Sequence, residues 1–346
     1  MWNVEIIRWY ENNKRDLPWR NSKDPFHIWL SEVIMQQTKI EQGLPYYLKF
    51  TSKYLSISDL ANETEENILK LWQGLGYYSR GRNLLKAANQ IVRDFNGIFP
   101  QNPKDLIKII GVGSYSSSAI ASIAFEYPIP VVDGNVYRLI SRMFEVSTPV
   151  PSEKARKVFE EILLKPVQEV TPSLFNQGIM ELGSLICTPK NPRCEICPVQ
   201  LYCGAYKNNT IANFPVKIKK QKAQPLNLNF LQIMLNGEKT YLTKRIEPGI
   251  WQGLFEFPNF ESNSKMIHKD RIIEELNRIT KKIEIISIQK KTQFTHLLTH
   301  KKITASYWII NVSEICFLEN FSTFETNLDE INKFPVHRLM EKILFE

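Results

Sequence analysis

No apolar run in this chain of 346 residues approaches the roughly 20 residues that a membrane-spanning helix requires, so no such helix is expected. The opening residues, Met1-Trp2-Asn3-Val4-Glu5, lack a basic segment followed by an apolar stretch, which argues against export and makes the cytoplasm the expected compartment. No tandem repeat of fixed period is present. Cysteine is scarce: there are five, and four of them crowd between Cys187 and Cys203. In a chain without an export signal, that clustering argues for a metal site over disulfides.

What is present is the composition of an ordinary folded protein, 43% hydrophobic and 23% charged, over a length that suits two domains better than one. The net charge of +8 is concentrated in residues 1–220, which fits a polyanionic partner for that part. Residues 1–220 read as almost wholly helical, with amphipathic segments near 3–13, 25–37, 41–53, 64–73, 80–94, 103–110, 114–125, 134–144, 153–164 and 173–186. Lys207-Asn208-Asn209 and then Lys217-Ile218-Lys219-Lys220-Gln221-Lys222 make a polar, basic run with little periodicity, which reads as a linker over 207–225. Beyond it, Leu226, Leu228 and Phe230 alternate with polar residues as a strand does, and further strands are expected at 239–244, 283–289 and 304–312, with helices at 266–279 and 335–344. Residues 226–346 therefore form an α+β domain after a helical one over 1–206. Cys316, alone in Glu314-Ile315-Cys316-Phe317, reads as a buried strand residue.

The most informative stretch is Ile28-Trp29-Leu30-Ser31-Glu32-Val33-Ile34-Met35-Gln36-Gln37-Thr38. Asp24 and Pro25 predict a helix start, and Trp29, Leu30, Val33 and Ile34 recur as its buried stripe. Glu32 falls off that stripe, between tryptophan and methionine, where desolvation would raise its pKa and keep a proton available; the plainer reading is a solvated surface carboxylate. Three other stretches stand out. Gly74-Leu75-Gly76-Tyr77-Tyr78-Ser79-Arg80-Gly81-Arg82 puts tyrosines and arginines together on a turn, suited to stacking on bases and holding phosphates. Gly111-Val112-Gly113 between two helices allows backbone to approach a phosphate. Cys187-x6-Cys194-x2-Cys197-x5-Cys203 has a spacing that fits zinc or an iron–sulfur cluster.

The Glu32 stretch, together with Arg15-Asp16-Leu17-Pro18-Trp19-Arg20, resembles the signature of the adenine DNA glycosylase (MutY) family within the helix-hairpin-helix, endonuclease III superfamily. The resemblance covers most of 2–216 and, more loosely, 226–346. It implies a mainly α helix-hairpin-helix glycosylase fold with an iron–sulfur loop and a C-terminal α+β Nudix-like domain. The function it implies is excision of adenine mispaired with 8-oxoguanine, or guanine, in double-stranded DNA, by a monomer associated with the nucleoid and in company with other repair proteins. In that family a flipped adenine is held by residues matching Arg15, Trp19, Arg20, Met35 and Gln177. Glu32 would protonate the departing base, and Asp133 would face the positively charged sugar, with Asn135 and Tyr115 orienting them. Gln36, Gln37, Thr38, Gly76, Tyr77, Arg80, Gly111, Val112 and Gly113 would contact DNA, and Phe294, Thr295 and His296 would sense the oxidised guanine. Cys187, Cys194, Cys197 and Cys203 would hold one 4Fe–4S cluster, on a loop whose Lys190 and Arg193 face phosphate.

Two departures from the family pattern matter: Ile110 stands where proline is usual and Thr295 where serine is usual. Tyr115 stands where related bifunctional glycosylases carry a lysine nucleophile. This tyrosine points to a monofunctional enzyme. Gly249-Ile250-Trp251-Gln252-Gly253-Leu254-Phe255-Glu256-Phe257-Pro258 is similar to the family's Nudix-like domain. Glu274 and Glu275 do not complete the metal box that nucleotide hydrolysis needs. Asp133 is in any case a good N-cap. Rival expectations are an endonuclease III-like glycosylase/lyase and a damage-binding protein without chemistry.

Overall fold

The structure, a computed structural model, describes residues 1–218, 223–319 and 321–345. Lys219, Lys220, Gln221 and Lys222 of the expected linker lie outside the described residues. In chain order the helices are α1 (Trp2–Asn13), α2 (Pro25–Met35), α3 (Ile40–Lys53), α4 (Ile57–Ala61), α5 (Glu65–Trp72), α6 (Ser79–Phe95), α7 (Pro103–Leu106), α8 (Ser114–Phe125), α9 (Gly134–Phe144), α10 (Glu153–Gln168), α11 (Pro172–Leu185) and α12 (Gly204–Lys207). The strands β1 (Gln224–Leu235), β2 (Lys239–Lys244), β3 (Phe255–Glu256) and β4 (Asn259–Ser262) follow, then α13 (Lys269–Ile279), β5 (Thr280–Leu297), β6 (Lys301–Phe317), β7 (Thr323–Asn327) and α14 (Arg338–Phe345).

The helix starts obey local chemistry. Asp24 caps α2 by accepting from the Phe26 N–H, and Pro25 occupies the first turn, where a missing N–H costs nothing. Thr64 caps α5 and Ser152 caps α10 in the same way. The expected helix over 103–110 is shorter than its apolar pattern: α7 ends at Leu106, and Lys108 and Ile109 donate to carbonyls three residues back in a series of turns. A run of β-branched residues, Ile107, Ile109 and Ile110, disfavours helix continuation there.

The chain divides into two compact units. The first comprises Met1–Asn62 and Asn83–Lys219, the second Glu63–Arg82 and Lys220–Glu346. The division therefore departs from a simple break after residue 206, because α5 and the loop after it pack with the C-terminal residues. Lys70 Nζ donates to the Phe334 carbonyl at 3.0 Å, and a Cβ on Gly253 would meet Leu69 at 2.9 Å.

In the first unit, α9, α10 and α11 share a core of Val136, Leu139, Ile140, Phe159, Leu163, Phe175, Ile179 and Leu182, joined by Ile6 of α1. Each such side chain contributes about 1.5–3 kcal/mol by leaving water. In the second unit the sheet runs β3-β2-β1-β6-β5, with β4 on β1 and β7 on β2; β1 and β6 are parallel and the other pairs antiparallel. β5 and β6 form a long hairpin whose turn is Leu298-Thr299-His300. Cys316 lies in β6 as expected, but it is exposed: strand alternation turns its neighbours Ile315 and Phe317 to the core and Cys316 to solvent.

Candidate active site and iron–sulfur loop

The first unit holds a cavity of about 650 Å3. The sequence-predicted Arg15, Trp19, Arg20, Glu32, Met35, Gln36, Gln37, Thr38, Tyr115, Asp133, Asn135 and Gln177 all line it. Glu32 and Asp133, 101 positions apart in sequence, are brought together by α2, α8 and α9.

Glu32 retains some accessible surface at the cavity wall, but its carboxyl group is enclosed by protein. Burial pushes it up to about 7; a hydrogen bond from the Tyr115 hydroxyl opposes this, and the nearby Asp133 charge reinforces it. Tyr115 OH also lies 3.6 Å from Met180 Sδ, but a carboxylate is a far stronger acceptor than a thioether. The Tyr115 hydroxyl is itself held well above its usual range by burial and by both carboxylates, so it remains a donor.

Asp133 has a different environment. Its Oδ1 accepts from the N–H groups of Asn135 and Val136, both at 2.8 Å, and its Oδ2 accepts from Asn135 Nδ2 at 2.8 Å. It is the N-cap of α9, and so it is both a structural cap and a cavity residue. Burial raises it, while these donors and the positive end of the helix favour the ionised form. The Asp133 charge adds to the cost of ionising Glu32, and the proton settles on Glu32, which has fewer donors. One acid and one carboxylate result.

Asn135 is fixed from the far side. Its Oδ1 accepts from Arg138 Nη2 at 2.8 Å, while Arg138 Nε donates to the Cys187 carbonyl at 2.6 Å and Nη2 to the Gly183 carbonyl at 2.6 Å. Gly183 permits this approach: a Cβ there would stand 2.8 Å from the Asn135 backbone oxygen.

The cavity also contains a residue that the sequence reading missed. Glu181, 1% exposed, accepts from Arg15 Nε at 2.9 Å and from Arg20 Nη1 at 2.8 Å and Nη2 at 2.7 Å. Burial pushes Glu181 up, but the bonds from Arg20 and Arg15 outweigh it and bring the carboxyl down to about 2. Its signal was available, since Glu181 is the single charged residue in α11. Gln177 is held at both ends, with Oε1 accepting from Tyr10 OH at 3.1 Å and Nε2 donating to the Ser173 carbonyl at 3.2 Å. Trp19 stands edge-on to Tyr47, centroids 5.0 Å apart.

Gln36 Nε2 donates to Ser116 Oγ at 3.3 Å, and Gln37, exposed, has a φ of 54° just past the end of α2. In the hairpin before α8, Gly111 has a φ of 78°, Val112 is a buried anchor and Gly113 is exposed, with open space where a side chain would project. The Ile110 N–H donates to Gln90 Oε1 at 2.8 Å.

In the second unit, Tyr77 is 46% exposed and sits at a φ of 48°, after Gly76 at 73°. Its hydroxyl lies 2.6 Å from Thr299 Oγ1. Arg80 is buried, donates to the Gly76 carbonyl at 3.2 Å and lies over the rings of Trp72 and Tyr77; burial pulls it down to about 10. It supports the loop from beneath, which is not the solvent-facing phosphate position expected from sequence. Phe294, Thr295 and His296 are in β5, with Thr295 opposite Thr304 and His296 6.2 Å from Trp251. The hydroxyl that meets Tyr77 belongs to Thr299, which the sequence reading missed. Thr-His occurs twice, at 295–296 in β5 and at 299–300 in the turn that follows it.

Cys187, Cys194, Cys197 and Cys203 line one cavity with Arg142, Ile186 and Val199. Among the described residues no three His, Cys, Asp or Glu side chains converge as ligands of a single ion would; the four thiols ring a space instead. Burial, with the neighbouring cysteines adding to it, holds Cys197 up at about 12, and Cys194 and Cys203 are raised as well. Four thiolates can therefore coexist here only around a cationic centre, which suits a cluster. Arg142 Nη1 is 3.3 Å from Cys187 Sγ and 2.8 Å from the Thr188 carbonyl. Arg193 Nη2 donates to the Leu185 carbonyl.

A helical unit with a glycine hairpin, an acid–carboxylate pair in a cavity large enough to admit a base and a cysteine-ringed loop together define a DNA N-glycosylase of the helix-hairpin-helix class. Residues 30–166 match the HhH-GPD superfamily of base excision DNA repair proteins, residues 187–203 the iron–sulfur binding domain of endonuclease III, and residues 230–346 the NUDIX domain. The chain is 33% identical to an adenine DNA glycosylase of Buchnera aphidicola subsp. Baizongia pistaciae, over 98% of this chain and 95% of that protein. It is 29% identical to the adenine DNA glycosylase of Homo sapiens, over 86% of this chain and 65% of that one. A thermostable thymine-DNA glycosylase shares the fold of the helical part at a TM-score of 0.56 and 28% identity, covering 60% of this chain and 95% of that one. Endonuclease III in a non-covalent DNA complex does so at 0.52 and 22%, covering 60% and 94%.

The chain belongs to the adenine DNA glycosylase family. It is a DNA N-glycosylase of base-excision repair, and its four loop cysteines hold a 4Fe–4S cluster, which decides between the two groups that spacing left open.

Proposed function

We propose that this chain releases adenine paired with 8-oxoguanine, and with guanine, and that it does so without a strand-cleaving lyase step. The observation that carries the reading is the unequal pair of carboxylates: Glu32 held up at about 7, and Asp133 fixed by three donors at a helix N-terminus. Breaking an N-glycosidic bond builds negative charge on the base and positive charge on the sugar. Glu32 delivers a proton to the base. Asp133 faces the oxocarbenium-like sugar, and water completes an abasic site. Arg15 and Arg20, clamped by Glu181, and Gln177, clamped by Tyr10, frame the adenine with donors and acceptors whose directions are already set.

The monofunctional reading rests on Tyr115, which has a hydroxyl at the position where a Schiff base requires an amine. The amine lining the cavity is Lys39, which is exposed. Lesion reading is assigned to Tyr77 and Thr299 in the second unit: a ring to wedge beside a base, and a hydroxyl able to donate and accept. The 2.6 Å contact with Tyr77 supports Thr299 over Thr295 as the proposed lesion-reading hydroxyl. The test is single-turnover base release from a duplex with adenine opposite 8-oxoguanine, on iron-loaded protein, wild type against Glu32→Gln. The reading expects release by wild type, near-complete loss in the variant, nicking only after alkali and no adduct trapped by borohydride. Absence of release from wild type sinks it, and a trapped adduct moves the enzyme to the glycosylase/lyase class.

A further inference from the structure

We propose that Gln73 and Glu341 are positioning residues for Tyr77: the C-terminal helix of the second unit clamps the loop that presents this tyrosine. The inference rests on the reading of Tyr77 as the residue that meets the lesion strand. The loop needs such help. Three of four residues have a positive φ, Gly74 at 95°, Gly76 at 73° and Tyr77 at 48°. The glycines tolerate this, whereas a tyrosine there is strained, and its surroundings must offset that strain.

The surroundings come from the far end of the chain. Gln73, the C-cap of α5, has both ends of its amide committed. Its Nε2 donates to Glu341 Oε1 at 2.6 Å, while its Oε1 accepts from the Val336 N–H at 3.4 Å and from Lys70 Nζ at 3.1 Å. Tyr78 OH accepts from the Gly74 N–H and donates to the Val336 carbonyl, both at 3.3 Å. One residue before the first glycine and one residue after Tyr77, the loop is thus pinned to the same short stretch leading into α14. Between those pins Tyr77 is exposed, with its ring directed by Thr299 and Arg80. The sequence gives Tyr77 little local reason to hold this conformation, and the clamp supplies a non-local one.

Two measurements test the clamp. Hydrogen exchange across residues 73–80 in the full-length, cluster-loaded protein reads it without DNA: Gln73→Ala and Glu341→Ala should raise exchange there, and Glu341→Gln, which keeps an acceptor oxygen, should not. Base release from an adenine:8-oxoguanine duplex at varied protein concentration reads its use. Loss of a charge-assisted hydrogen bond should raise the half-saturating concentration about tenfold in Gln73→Ala and Glu341→Ala, with the maximal rate within about twofold and recovery in Glu341→Gln. In a Tyr77→Ala background, Gln73→Ala should add almost nothing, because the residue through which it acts is gone. Unchanged exchange in Gln73→Ala, or a tenfold loss that persists without Tyr77, overturns the proposal. Raised exchange with a Tyr77→Ala enzyme that saturates like wild type upholds the clamp and overturns the lesion-reading role of Tyr77.

Discussion

Arg138 donates to Asn135 Oδ1 at 2.8 Å with one nitrogen while another donates to the Cys187 carbonyl at 2.6 Å, so a single guanidinium joins the carboxylate loop to the cysteine loop. The same α9 begins at the Asp133 cap and carries Arg142, which lies against Cys187 Sγ. Replacing Arg138 by methionine should keep the helix and its packing but free Asn135. Base release should slow by about tenfold or more, the loss expected for a buried charge-assisted bond, while iron content stays near wild type. Iron analysis beside single-turnover kinetics checks both halves.

Glu32 supplies a prediction about pH. Its carboxyl must be protonated to act, so base release should fall as pH rises through about 7. It should fall again in acid as Asp133 takes up a proton, giving a bell-shaped profile.

The same shift makes Glu32 a stability cost. Its folded pKa is raised above the ordinary 4.5, so the native state binds the proton more tightly and stability declines as pH rises from 4.5 to about 7. Glu32→Gln should therefore abolish release yet be more stable than wild type at pH 8, by up to about 3 kcal/mol, with the gap closing below pH 4.5. Denaturant unfolding at pH 4 and pH 8 measures it.

Glu181 shows the opposite sign. With its carboxyl brought down to about 2, its contribution is present above the ordinary 4.5 and is lost as pH falls toward 2. Glu181→Gln leaves Arg15 and Arg20 facing each other without a counter-charge. It should destabilise the fold by about 3 kcal/mol and weaken adenine release relative to DNA binding, which unfolding and gel-shift measurements would separate.

Thr299→Ala removes the partner of the Tyr77 hydroxyl. Preference for adenine opposite 8-oxoguanine over adenine opposite guanine should fall about threefold to tenfold, whereas Thr295→Ala should leave it unchanged. Competition between the two duplexes in one reaction gives the ratio directly.

Much of this was legible in the chain. Asp24-Pro25 announced α2, and the period of Trp29, Leu30, Val33 and Ile34 placed Glu32 off the buried stripe. Helix ends were read to within a few residues because caps and prolines act locally. What escaped was non-local. Glu181 looked like one polar residue among apolar neighbours until Arg15 and Arg20 arrived from 160 or more positions away. The short β3 and β7 carry too few residues for alternation to register; they exist because β2 offers both its edges. Arg80 read as a surface cation because sequence does not reveal the rings of Trp72 and Tyr77 stacked against it.

The bond between Gln73 and Glu341 spans 268 positions of chain. A polypeptide emerging from the ribosome has therefore made Glu32, Asp133 and the four cysteines long before it can settle Tyr77. If domains fold as they are synthesised, the parts proposed to break the glycosidic bond mature first, and the part proposed to inspect the opposite base matures last. A nascent chain, or one whose α14 has come undone, would hold the proposed chemistry without the proposed inspection.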